Sequence, residues 1–168
     1  MKRTGVRSLS GRSDAGSEYL KAEVVNVYPV ITSGGGSAYV MLLEAAEWKG
    51  RVLPIFIGVS EGLAIQSVLL GIRYERPMTH DLLVNILEAL GVSVEKVTID
   101  ALLGNSVYTA TLFLIREVGG RTERIQIDAR PSDSVAIALR TGAPIYVAKH
   151  LEVNTRKPEE LGLGYEER

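Results

Sequence analysis

Cysteine is absent from this 168-residue chain. That absence excludes disulfides, thiol catalysis and zinc–thiolate sites. Histidine occurs only at His80 and His150, too few for a histidine-rich metal site. Neither sign of charge dominates: 19 Lys and Arg stand against 20 Asp and Glu, a net charge of -1. A global attraction to nucleic acid is therefore missing, and only local basic patches remain. No apolar run approaches the roughly 20 residues of a membrane span. The first residues carry no apolar segment of the kind a signal peptide needs. These absences lead to the expectation of a cytoplasmic protein with no membrane partner.

What is present is enough apolar material, 46% of residues, to fill the core of one domain. Residues 1–20 are expected to be a disordered arm, made basic by Lys2, Arg3, Arg7 and Arg12. A domain is expected over 21–150 and a charged tail over 151–168, loose or holding a short helix. Within the domain, AEVVNVYPVI, AYVMLLEAA and RVLPIFIG read as strands. Pro54 has no N–H for a ladder, so the third of these belongs at an edge or faces away from a partner. VSEGLAIQSVLLG reads as a helix with Ser60 as N-cap and Glu61 in its first turn. Thr79 caps a second helix, in which Leu82, Leu83, Ile86, Leu87 and Leu90 make one apolar face. SVEKVTIDALL, VYTATLFLIRE and TERIQIDA are further strands, with GNS a tight turn between the first two. PSDSVAIALR is a third helix, with Pro131 at its start and Ser132 or Asp133 near its cap, and APIYVAKH a last strand. Gly62 costs the first helix about 1 kcal/mol relative to alanine.

The two halves read alike, each as three strands and a helix. IFIGVSEGLAI lies over IQIDARPSDSVAI, with two residues inserted in the second copy. The expected architecture is α+β: duplicated β3-α units in a mixed sheet, with helices packed on it. The matched junctions also explain Glu61 and Asp133 without catalysis. An acid in the first turn of a helix stabilises its positive end by about 0.3–1 kcal/mol. Asp128 and Arg130 are different, because the first copy has Gly58 where Asp128 stands and nothing for Arg130.

RVLPIFIG, RPMTHDLL, DARPSDSVAIALR and APIYV stand in an order and spacing that resembles the bifunctional nuclease domain family. The resemblance spans roughly Glu23 to Val147. It implies a single α+β domain found as dimers or larger homo-oligomers. It also implies nuclease activity on DNA and RNA, as attributed to plant members.

Phosphodiester hydrolysis assisted by metal needs carboxylates for one or two divalent ions, with cations or helix N-termini for phosphate. Candidates cluster at three expected helix starts. Glu61, Asp81, Asp128 and Asp133 are candidate ligands for magnesium or manganese. Arg76 and Arg130 are candidates to grip phosphate, His80 to act as acid or base, and Asp128 to take part in catalysis. The same residues also suit a purely structural network of ion pairs. SGGGS at 33–37 lacks a following helix and a Walker lysine, so it reads as a hairpin tip rather than a phosphate loop. Tyr28, Tyr39, Tyr108 and Tyr146 lie on expected strands, where they pack, form interfaces or stack bases. The leading expectation is a nuclease, and the alternative is a non-enzymatic homo-oligomeric module that binds a partner or small ligand. A homo-oligomer is also expected because strand edges and tyrosine-bearing faces need cover.

Overall fold

A computed structural model describes residues 6–8 and 18–163 of the chain. Among the described residues, eight strands form one mixed sheet in the order β1-β7-β6-β5-β8-β2-β3-β4. The first half supplies β2 (Tyr19–Ile31), β3 (Ser37–Glu44), β4 (Val52–Ile57) and helix α1 (Val59–Leu69). Helix α2 (Thr79–Ala89) follows. The second half supplies β5 (Val92–Leu103), β6 (Val107–Val118), β7 (Arg121–Ala129) and helix α3 (Pro131–Thr141). Three antiparallel strands and a helix thus occur twice in the order of elements.

The last strand, β8 (Ile145–Ala148), joins the halves. It pairs parallel with β5 and antiparallel with β2. The long β2 strand changes partner along its length: Tyr19–Ala22 pair with β8, and Glu23 onward pairs with β3, with a bulge between Val24 and Asn26. β4 closes one end of the sheet with a single neighbour, as Pro54 requires. The β5–β6 hairpin turns through Gly104 and Asn105, both left-handed at φ 56° and 59°. That pair of conformations is the one whose twist matches the strands it joins.

Alternation along the strands puts Val97, Ile99, Leu112, Leu114, Ile145 and Val147 on the face that meets α3. Helix α3 is the most enclosed helix, buried through Val135, Ala136, Ile137 and Ala138. A smaller cluster of Val40, Leu42 and Val52 lies on the other face of the first half, with Leu161 and Leu163 packed against it. No helix of the described residues is long and apolar enough to cross a membrane.

Several expectations change. α1 begins at Val59 with Gly58 as its N-cap, so Ser60 is inside the helix. Arg130, and not Ser132 or Asp133, caps α3, with Pro131 in the first turn. Met78 precedes α2, and Asp81 reaches back to accept from its N–H at 2.9 Å. Most of the expected apolar face of α2 points outward: Leu82, Ile86 and Leu90 are 52%, 46% and 71% exposed and Leu83 is exposed too, because the helix docks through His80 and Val84, and of the expected face only Leu87 packs on the core. Much of the expected arm lies outside the described residues, but β1 (Val6–Ser8) pairs antiparallel with β7, and Tyr19 and Leu20 open β2. Leu151 and Thr155 are buried, and Arg156 exchanges two backbone hydrogen bonds with Val52.

Gly62 has a packing reason. A Cβ placed there would overlap the ring and Cβ of Tyr39, which is itself buried. Gly62→Ala is therefore expected to destabilise by about 1–2 kcal/mol, since overpacking outweighs the gain in helix propensity. Chemical denaturation checks this: a more stable variant would show that Tyr39 yields freely.

Candidate functional site

The starts of the three helices converge through one hydrogen-bonded chain. Arg130, at the start of α3, donates from Nη2 to Glu61 Oε1 of α1 at 2.7 Å. Its Nε donates to Asp133 Oδ2 at 2.7 Å. The other oxygen of Asp133 meets His80 Nε2 of α2 at 2.9 Å. An ionised carboxylate can only accept, so Nε2 carries the proton in this pair. Gly58 makes room for the arrangement, because a Cβ there would overlap the carboxylate of Glu61 as it folds back over the start of α1.

Exposure is uneven across the chain of contacts. The Arg130 side chain is 65% exposed, whereas those of Glu61, Asp133 and His80 are 16%, 28% and 10% exposed. Burial alone would raise the Asp133 carboxyl, but Arg130 and His80 together hold it below the ordinary carboxylate range. Asp133 and then Glu61 raise the Arg130 guanidinium further above its ordinary value.

Asp81 belongs to a separate pair. Its Oδ1 accepts from Arg140 Nε at 2.7 Å. Arg140 also donates to the carbonyls of Ala136 and Ala64, so it binds α2 and α1 to the end of α3. The Met78 N–H, then Arg140, holds the Asp81 carboxyl below its usual range.

Two other sequence candidates stand apart. Asp128 lies opposite Thr111 in the β6–β7 ladder and is exposed. Alternation turns it to the sheet face away from the helices, since Ile127 and Ala129 face the core. Its neighbour Thr111 donates to Asp100, which also accepts from Tyr19; burial first, then that bond, pushes the Tyr19 phenol up to about 12. Arg76 is exposed in the segment between α1 and α2, and among the described residues it makes no ion pair. The expected set of Glu61, Asp81, Asp128 and Asp133 is thus distributed over three places. Among the described residues, no group of three or more His, Asp or Glu stands ready to hold a metal ion. The residues do not fit a magnesium or manganese cage as they stand: a guanidinium occupies the space between Glu61 and Asp133. An ion there would have to displace it.

Beside Arg130 lies an open groove of about 870 Å³. The caps of α1 and α3, Gly58 and Arg130, lie on its wall with Phe56, Tyr108 and Arg156. Sequence reasoning noted Tyr108 but missed Phe56, which sits on an apolar strand, and Arg156, which sits in the charged tail.

The fold and this cluster define a small α+β domain whose helix starts are bridged by one arginine. The model of the bifunctional nuclease domain matches residues 40–159, and the chain belongs to that family. It is 44% identical over 108 residues to an uncharacterised protein of Mycobacterium tuberculosis, covering 64% of this chain and 60% of that one. It is 28% identical over 111 residues to bifunctional nuclease 1 of Arabidopsis thaliana, covering 66% of this chain and 34% of the plant protein. Bifunctional nuclease 1 of Oryza sativa subsp. japonica is 27% identical over 116 residues, covering 69% and 34%. The chain therefore spans about three fifths of the mycobacterial relative and about a third of the plant ones.

The lowered carboxyls of Asp81 and Asp133 set a pH window. Their stabilisation is complete above the unfolded carboxylate value, about 3.9, and is lost as pH falls through the lower folded values. Melting temperature should fall in the window below about pH 4, and less steeply in Asp81→Asn. Equal steepness in the variant would mean that other carboxylates govern acid unfolding.

Proposed function

We propose that this chain is a cytoplasmic nuclease that hydrolyses phosphodiester bonds in nucleic acid at the Glu61–Arg130–Asp133–His80 cluster. Family membership and the names of the plant relatives support the reaction class. The observation that carries the assignment to this cluster is Arg130. Its guanidinium is mostly exposed, uses Nε and Nη2 on carboxylates, and makes no hydrogen bond through Nη1 among the described residues. A guanidinium fork matches two phosphate oxygens as well as it matches a carboxylate.

In the proposed reaction, Arg130 turns from Glu61 to the scissile phosphate and neutralises charge that builds on its oxygens. Glu61 then has a free carboxylate that accepts the proton of an attacking water. The water oxygen bonds to phosphorus as the ester P–O bond breaks, and the leaving oxygen takes a proton from solvent. His80 keeps Asp133 in place, and Asp133 keeps hold of Arg130 through Nε. No step runs through a divalent ion.

A second reading follows from the same pairing. Because every carboxylate of the cluster already has a partner, the domain also suits a non-catalytic module that binds a ligand through Arg130. Highly purified protein is expected to cleave single-stranded oligonucleotides in assays run with magnesium, with manganese and with chelator. Arg130→Ala should slow cleavage at least about tenfold, and Arg130→Lys should restore only part, having charge without the fork. Cleavage that is absent in all three media favours the binding module, and cleavage equal in Arg130→Ala overturns the assignment to this cluster.

The assembly is proposed to be a homo-oligomer joined through the outward face of α2. Leu82, Ile86 and Leu90 stand exposed in one row there, and an exposed apolar row of this kind marks an interaction surface. The isologous contact of a dimer would bury it against itself. Leu82→Glu with Ile86→Glu should convert an oligomer to monomer in sedimentation at micromolar concentration. A parent protein that sediments as a monomer contradicts the proposal.

A further inference from the structure

The groove beside Arg130 has a chemistry that the polar cluster does not use. Arg130 and Arg156 both line it, and no aspartate or glutamate does among its described lining residues. Glu61 and Asp133 offset the charge of Arg130, whereas Arg156 makes no ion pair among the described residues and supplies the groove's unmatched positive charge. Arg156 is held there by its backbone, which exchanges hydrogen bonds of 2.9 and 2.8 Å with Val52 of the edge strand. Its side chain is exposed, with Nη1 bonded to the carbonyl of Thr155.

Two rings share the groove with the arginines. Phe56 is 70% exposed on the edge strand. Tyr108 is half-buried at the start of β6, and the charge of Arg156 opposes the rise that burial causes in its phenol. Asn105 stands at the hairpin tip, and Asn154 precedes the segment that carries Arg156. Each amide both donates and accepts, which suits the edge of a base. An unpaired arginine flanked by rings, with a second arginine whose Nη1 is free of hydrogen bonds among the described residues, matches a ligand that is anionic at one part and flat at another.

We propose that this groove binds a nucleotide unit, with its phosphate held by Arg130 and Arg156 and its base stacked on Phe56 and Tyr108. A bare phosphate would leave the rings unused, and a flat apolar ligand would leave the Arg156 guanidinium without an anion. The same chemistry is offered by one residue of a single strand and by a free nucleotide. In a duplex the bases are stacked on each other and do not reach the rings. For a strand, the inference rests on the proposed nuclease reading, because Arg130 belongs to both cluster and groove. A residue bound in the groove would then lie next to the bond to be cleaved.

The test measures binding apart from cleavage. A short fluorescein-labelled oligothymidylate is titrated with the full chain in chelator and followed by anisotropy, with a duplex of the same length as comparison. Adenosine monophosphate is titrated separately by calorimetry. Arg156→Gln should weaken strand binding about tenfold and reduce the salt slope by about 0.7, the share of one phosphate on a single strand. Phe56→Ala should weaken it at least about fivefold without changing that slope. Arg156→Lys should keep the slope. Both side chains are exposed, so melting temperatures should stay at the parent value. Nucleotide binding that falls in Arg156→Gln, with no strand binding, assigns the site to free nucleotides; loss confined to the strand assigns it to nucleic acid.

Strand and nucleotide binding that are both unchanged in Arg156→Gln and Phe56→Ala overturn the groove assignment, even if cleavage stands. Duplex bound as tightly as single strand overturns it as well. Binding that falls in these variants of a protein that never cleaves keeps the groove and overturns the nuclease reading instead.

Discussion

Helix α3 runs beneath the sheet with its middle wholly enclosed, so its charged side chains reach other elements only near its ends. Arg130 and Arg140 stand at those ends, and each crosses to a neighbouring helix. Arg130 takes Glu61 of α1, and Arg140 takes Asp81 of α2 and a carbonyl of α1. His80 adds a tie from α2 to Asp133. Position of all three helices thus depends on burying α3 with an arginine at either end. The Arg140 side chain is 8% exposed and that of Arg130 is 65% exposed. The first therefore resembles a fixed clamp, and the second remains within reach of a ligand.

That contrast gives the two arginines at the ends of one helix different work. A buried ion pair is costly to break, because the partner left behind is desolvated and uncompensated. An exposed guanidinium can exchange one anion for another at small net cost. Glu61 and Asp133 hold Arg130 at the rim of the groove. Arg130 in turn occupies an oxygen of each, which a divalent ion would need. Metal affinity and arginine pairing are competing uses of the same carboxylates, and in this structure the arginine has them.

Much of the fold is legible in the chain because strand alternation and the helix period are strong local signals. β2 to β7 and all three helices stand where their patterns put them, and Pro54 marks the sheet edge. The insertion of β8 between β5 and β2 is not legible, since strand order is decided by pairing over long separations. Leu82, Ile86 and Leu90 show a regular apolar stripe without saying what it meets, and it meets solvent in this chain. The site is legible in part. Glu61, Arg130, Asp133 and His80 come together from three expected helix starts, whereas Asp128 does not. The alternation Ile125-Gln126-Ile127-Asp128 already turns it away from the core side, a signal that its position in a charged motif obscured. Phe56 and Arg156 carried no signal at all, because each gains meaning only from a groove assembled by distant segments.

The proposed reaction turns on whether Arg130 exchanges Glu61 for phosphate while Asp133 holds its Nε. Side-chain NMR of Arg130 Nε–H and of the His80 ring, during titration with a non-cleavable phosphorothioate strand, reports this directly. A saturable shift of the Arg130 signal, accompanied by a change at His80 through their shared Asp133, is the expected result. Saturable binding elsewhere on the protein, with both signals unmoved, would contradict the account.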